Sequence, residues 1–173
     1  MRKASFWGSF IFAICLCSCS SSELDQDGSI SILNEREDIS LTRAEAAASD
    51  ASNVFAYNYI KTATDLLEDN FIVSPLSAEV ALAMLCNGAT GETLENIKSV
   101  LGFDGFTLDD LNSYNKTILS SLPELDKLAS FKSANALWAK DSFKFNESYA
   151  SSVTSNFNAY LTYFVDLATA KKK

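Results

Sequence analysis

Residues 70–103 read NFIVSPLSAEVALAMLCNGATGETLENIKSVLGF, and each boundary in this stretch carries its own punctuation. Phe71-Ile72-Val73 is aromatic and β-branched, the composition of a short buried strand. Ser74 stands where an N-cap belongs, because its hydroxyl can accept from a free amide of the first turn. Pro75 follows at the first helical position, where a missing N–H costs nothing. The predicted helix runs from Pro75 to about Asn87, with Leu76, Val80, Leu82, Met84 and Leu85 distributed around it. A helix apolar on all sides is a core helix or a membrane span. This one is far short of the ~20 residues that a span needs. Gly88 is expected to end it as a left-handed C′ residue. Thr90 is expected to cap a second helix, with Glu92 in its first turn. Leu94, Ile97, Val100 and Leu101 are its apolar stripe, Glu95 and Lys98 a solvent-side pair, and Gly102 its stop.

Outward from this stretch, residues from about Thr42 or Asp50 are predicted helical. Ala56, Tyr59, Ile60, Ala63, Leu66 and Leu67 lie on one face at 3.6 spacing. Thr107 caps a helix to about Ser120, with Asp109 and Asp110 in its first turn and Leu111, Tyr114, Ile118 and Leu119 inside. Pro123 and LPELDKL form a connector. Phe131–Ala139 reads as a strand with Ala134, Ala136 and Trp138 on one face. Asn146 caps a helix carrying Tyr149, Val153 and Phe157 at i, i+4, i+8. Tyr160–Leu167, YLTYFVDL, is the strongest β signal in the chain. Asn115-Lys116-Thr117 and Asn146-Glu147-Ser148 are glycosylation-type triplets, without meaning in a bacterial source.

The order N-F-x-V-S-P-x-S, A-L-A-M, N-G-A-x-G-x-T, I-x-x-x-L-G-F resembles the N-terminal part of the serpin family. Asn53, Phe55 and Ala56, then Ser133–Trp138 (SANALW), and then Val165-Asp166-Leu167 agree with that family's pattern in order and spacing. The resemblance covers roughly residues 53–167. It implies an α+β fold: a serpin-like N-terminal portion, with several helices and strands of a mixed central sheet, incomplete at Lys173. It implies that Asn70, Ser74, Pro75 and Ser77 belong to the region beneath the sheet that parts when a new strand enters. It also implies that the reactive centre, which lies near the C-terminus of such proteins, is absent from this chain. In some serpins the helix matching residues 107–120 binds sulfated polysaccharide through basic residues. Here Lys116 is its only base, which argues against a heparin-type partner.

The chain has 173 residues, a formal charge of −8 and no histidine. The acidic balance gives no counterion-release gain on nucleic acid, so that partner is set aside. Without histidine the commonest general base and metal ligand are missing, and no metal site or cofactor is expected. Cys15, Cys17 and Cys19 lie in the first twenty residues, which leaves Cys86 alone in the fold. Its apolar neighbours make it a core thiol rather than a nucleophile. Ser74 and Ser77 lack a base, the pairs Glu92/Glu95 and Asp109/Asp110 read as helix-start and solvated-face carboxylates, and Gly88–Gly91 lacks the lysine of a phosphate loop.

At the N-terminus, Arg2 and Lys3 precede an apolar run from Phe6 to Leu16, the form of a secretory signal peptide. Leu16-Cys17-Ser18-Cys19 resembles a bacterial lipoprotein box. It places the lipidated mature N-terminus at Cys19; ordinary signal cleavage nearby is the alternative. Residues 1–18 are thus the expected signal peptide, 19–48 an acidic, serine-rich tether, mostly disordered, and 49–173 the serpin-like portion. The acids behind Cys19 read as a solvated linker rather than a surface-export signal. The expected product is extracytoplasmic, held by lipid at the periplasmic face or cell surface, or secreted. Two functions fit. One is an inhibitor of serine or cysteine proteases that works by reactive-loop insertion in the complete protein, with this chain non-inhibitory alone. The other is a non-inhibitory surface lipoprotein that binds a ligand or partner. An enzyme is not expected.

Overall fold

A computed structural model describes residues 37–126 and 128–165, together with the backbone of the short strands β1 (Glu23–Leu24) and β2 (Ile30–Ser31). Cys19, the signal segment and the Asp166-Leu167 end of the last predicted strand lie outside the described residues. The chain divides into two units, residues 1–34 and 35–173. In the first, β1 and β2 pair antiparallel inside the stretch expected as a tether. All else described here belongs to the second.

The second unit runs α1 (Arg43–Leu66), α2 (Pro75–Cys86), α3 (Gly91–Leu101), α4 (Leu108–Ser121), a 3-10 turn (Leu122–Glu124), β3 (Asn135–Lys140), α5 (Glu147–Phe157) and β4 (Ala159–Phe164). Helix starts are written in local chemistry. Thr42 and Thr107 each close a reciprocal capping box, with Glu45 and Asp110 three residues on, which satisfies two orphan amides at once. Ser74 caps α2 by accepting from the Ser77 N–H, and Pro75 takes the first position, as expected. Asn146 caps α5 through the Ser148 N–H. Gly102, at φ 77°, stops α3 in the left-handed region, as expected.

Two of the expected terminators act differently. Thr90 makes no side-chain cap bond to α3. Gly88 lies outside the left-handed region, and α2 ends instead at Asn87, in the right-handed region, through tight i to i−3 bonds. The glycine is needed for a different reason. A Cβ there would stand 3.1 Å from the Tyr149 ring, so α5 packs against bare backbone at the end of α2.

The core is built where α1, α2, α4 and α5 meet. Phe55, Val80, Met84, Leu101, Phe103, Leu111, Tyr114, Val153 and Phe157 are buried in one cluster. The Tyr149/Val153/Phe157 stripe of α5 faces it, as its spacing predicts. The buried face of α1, however, is Glu45, Ala48, Ser52 and Phe55, with Tyr59 half-buried, not the more C-terminal set. Ile60, Leu66 and Leu67 are exposed. Two positions of the true stripe are polar, so a count of apolar residues alone slides it toward the C-terminus.

In α3, Leu101 is fully buried and Val100 exposed, while Lys98 is buried, with its ammonium on Glu95 at 3.1 Å. The expected solvent-side pair thus has its basic half inside, its aliphatic stem packed and its charge paired. Phe71–Val73 forms no strand. Ile72 is fully exposed and Phe71 about one third exposed. A strand requires a neighbour to accept and donate its backbone bonds, and among the described residues none lies alongside.

Strands β3 and β4 pair in parallel, in register from Asn135↔Ala159 to Lys140↔Phe164, joined by α5. The ladder starts later than Phe131 because its partner starts at Ala159, immediately after α5 ends on the left-handed Asn158 (φ 49°). Asn135 secures this end, donating to the Phe157 carbonyl at 2.8 Å. Leu137 and Leu161 turn toward the core. On the other face, Trp138 and Tyr160 are exposed.

Candidate functional site

The sheet and the start of α2 face each other across a cavity of about 500 Å³. Ser74, Ser77, Val80 and Met84 line one wall, and the run into β3, residues 131–136, lines the other. The two hydroxyls of Ser74 and Ser77 are 2.8 Å apart, and the Ser77 N–H donates to Ser74 Oγ at 3.2 Å. This geometry follows from the cap: a serine at N-cap and another at N3 share one turn. Pro75 is half-buried at the head of the helix and leaves the wall to its neighbours. Asn70 is exposed in the segment before it, apart from the cavity lining. So the structure brings together Ser74 and Ser77 of the four expected positions. Lys132 lines the same cavity, but among the described residues no basic side chain hydrogen-bonds to either serine, and their mutual bond leaves them as polar groups at a helix–sheet junction rather than as nucleophiles.

Three polar clusters brace the helices behind this cavity, and sequence reasoning did not single them out. Asn87 and Asn112 form a reciprocal amide pair at 2.8 and 2.9 Å, joined by Ser152 Oγ at 2.5 Å, which ties α2, α4 and α5. Glu45 accepts from Thr117, Ser113 and the Thr42 N–H. The Thr117 hydroxyl foremost, with the Thr42 amide next, holds its carboxyl at about 2, so it stays ionised at neutral pH. Glu79 of α2 is only 1% exposed and accepts from Ser52 Oγ of α1. Burial pushes its carboxyl up, and the Ser52 bond opposes that. A lone acid inside an otherwise apolar helix was the available signal for Glu79.

Cys86 is fully buried, and burial raises its thiol further while Lys98 pulls the other way, the behaviour of a core sulfur. Asn115 is buried as well, its amide donating to the Leu111 carbonyl, so that triplet offers no attachment point. Among the described residues no cluster of three metal-ligating side chains occurs. No described helix is long and apolar enough to cross a membrane.

Comparison with known proteins bears on this arrangement. Residues 50–173 match the family model described as Serpin (serine protease inhibitor). Human neuroserpin is 29% identical over 118 residues, covering 68% of this chain and 28% of its own length. The leukocyte elastase inhibitor of Xenopus tropicalis is 36% identical over 93 residues, covering 53% of this chain and 24% of its own. Among solved structures, the thermophilic serpin tengpin in its latent state superposes with TM-score 0.60 at 26% identity, over 79% of this chain and 36% of tengpin. An Arabidopsis serpin in its native stressed conformation gives TM-score 0.62 at 24% identity, over 77% of this chain and 34% of its own. The chain therefore spans about a quarter of the length of these curated relatives and about a third of these solved ones.

Proposed function

The chain belongs to the serpin family, and from that premise we propose that it is the N-terminal portion of a single-use protease inhibitor rather than of an enzyme. The observation that supports this most directly is the family match over residues 50–173, a range that includes the α2 start and the run into β3 lining the Ser74/Ser77 cavity. In the proposed mechanism the complete protein offers a reactive loop to a serine or cysteine protease. The protease nucleophile attacks the scissile carbonyl, the C–N bond breaks, the new amine leaves, and an acyl bond links the two proteins. The cleaved loop then enters the central sheet as an added strand before water can release it. On this reading β3 and β4 are outer strands of that sheet, and Asn70, Ser74, Pro75 and Ser77 belong to the region over which it parts. The same reading puts the reactive loop outside these 173 residues. With Lys116 the single base of α4, sulfated polysaccharide is not the proposed cofactor.

The test uses two lengths of chain. A polypeptide extended to the length of its relatives is expected to give a protease-linked band that survives detergent, with activity lost near one-to-one stoichiometry. The 173-residue chain is expected to be digested without such a band by trypsin-, elastase- and subtilisin-like proteases. A linked band from the short chain rejects the assignment of the loop. No band from the long one favours a non-inhibitory surface protein on the same fold.

The Leu16–Cys19 box supports an extracytoplasmic protein anchored through lipid on Cys19, since several acyl chains hold where one does not. Fatty-acid label on an N-terminal peptide beginning at Cys19 is the expected result. An unmodified N-terminus at another position rejects it.

A further inference from the structure

Glu79 is an acid with almost nothing to keep it charged. It sits 1% exposed in α2, Ser52 Oγ donates to its Oε2, and its Oε1 has no partner. The ion pairs among the described residues are Lys61–Asp65 and Lys98–Glu95, and neither reaches it. The groups around it are identifiable element by element. From α1 comes Ser52, with Ser49 beside it. From α4 comes Tyr114, 4% exposed, whose phenol burial pushes up, so it is neutral over the ordinary pH range. Lys98 of α3 is held by Glu95 and acts on Cys86, not on Glu79. Tyr149 of α5 packs on Gly88, past the C-terminal end of α2, and does not act on Glu79 either. An ionised carboxylate presents about four acceptor sites, and one donor cannot replace its lost hydration.

We propose that Glu79 stands in the folded chain as the neutral acid, bridging α2 to α1 beside Tyr114, and that loss of its proton loosens the junction of α1, α2 and α4. The direction follows from linkage. The folded state holds this proton more tightly than the unfolded chain does. Its contribution is therefore complete below the ordinary carboxyl value and is lost as pH rises through the raised one. Glu45, the other buried acid among the described residues, acts in the opposite sense and at far lower pH, with its carboxyl at about 2. The two effects thus fall in separate windows. The device makes alkaline conditions, not acidic ones, the signal that frees the helices behind the Ser74/Ser77 cavity.

Infrared spectroscopy of the full chain tests this. At about pH 6–7, above the ordinary carboxyl range, a carboxylic-acid C=O stretch is expected that E79Q lacks. The denaturation midpoint of the natural chain is expected to fall between about pH 6 and about pH 9, whereas E79Q and the near-isosteric E79M hold theirs. Absence of the band at neutral pH overturns the proposal, as does a fall in midpoint that both variants retain. Should E79Q fail to fold, the band in the unaltered chain and the pH profile of E79M still decide.

Discussion

Replacing Phe103 by alanine is expected to cost about 3–5 kcal/mol of stability, the range for emptying a fully packed aromatic site. Phe103 has no exposed surface and is among the largest wholly buried side chains. Its ring meets Phe106 at 5.3 Å and Tyr114 at 6.1 Å. Its backbone also finishes α3, with its N–H donating to the Lys98 carbonyl at 2.9 Å just beyond the left-handed Gly102. The truncation therefore opens a cavity at the joint between α3 and α4, where two rings lose their partner. Against a total of about 5–15 kcal/mol for an ordinary domain, that is enough to unfold much of the population. The measurement is the denaturant midpoint beside Val100→Ala, which removes a side chain 65% exposed and is expected to change little. A Phe103 variant within about 1 kcal/mol of the natural chain would show that this is not the core.

Val100 and Phe103 also mark how far the sequence could be read. Features set within one element were legible. The Ser74-Pro75 start of α2, the Gly102 stop and the Tyr149/Val153/Phe157 stripe all rest on bonds or spacings inside a single element. Features set by a neighbour were not. Val100 falls at the edge of the α3 stripe, and only the packing of α3 decides that Lys98 goes in and Val100 stays out. Phe71–Val73 has strand composition, yet its ladder would have to come from another segment. The start of β3 was unreadable because Ala159, far along the chain, sets it. Glycine at position 88 was legible as a requirement but not for its reason, since the Tyr149 ring arrives from α5. For the candidate site, Ser74 and Ser77 came from a family pattern and their cap geometry. The buried Ser52–Glu79 pair crosses between helices, and no local rule reaches it.

The full chain is expected to self-associate as its concentration rises, through the outer face and free edges of the β3–β4 pair. A two-stranded parallel sheet leaves one edge of each strand unpaired among the described residues. Such edges are templates for a further strand. The chain offers few of the usual protections there. Trp138 is 42% exposed and Tyr160 is 68% exposed. They lie on the same face, because Trp138 pairs with Thr162 and Tyr160 with Ala136. Beyond β4, Val165 is also exposed. Apolar surface of this kind beside unpaired backbone gives both the driving force and the hydrogen-bonding register for association. Converting both aromatics to lysine tests the face directly, since a charge on an exposed strand position blocks edge pairing without touching Leu137 and Leu161 on the core side. In sedimentation velocity the natural chain is expected to shift to larger species with concentration, and the Trp138→Lys/Tyr160→Lys chain to remain a monomer. If the double variant associates as strongly as the natural chain, another surface carries the contact; the exposed Ile60, Leu66 and Leu67 of the α1 end are then the next to be changed. If neither associates at any concentration, the sheet edge is protected in a way that its exposure does not reveal, and the expectation fails.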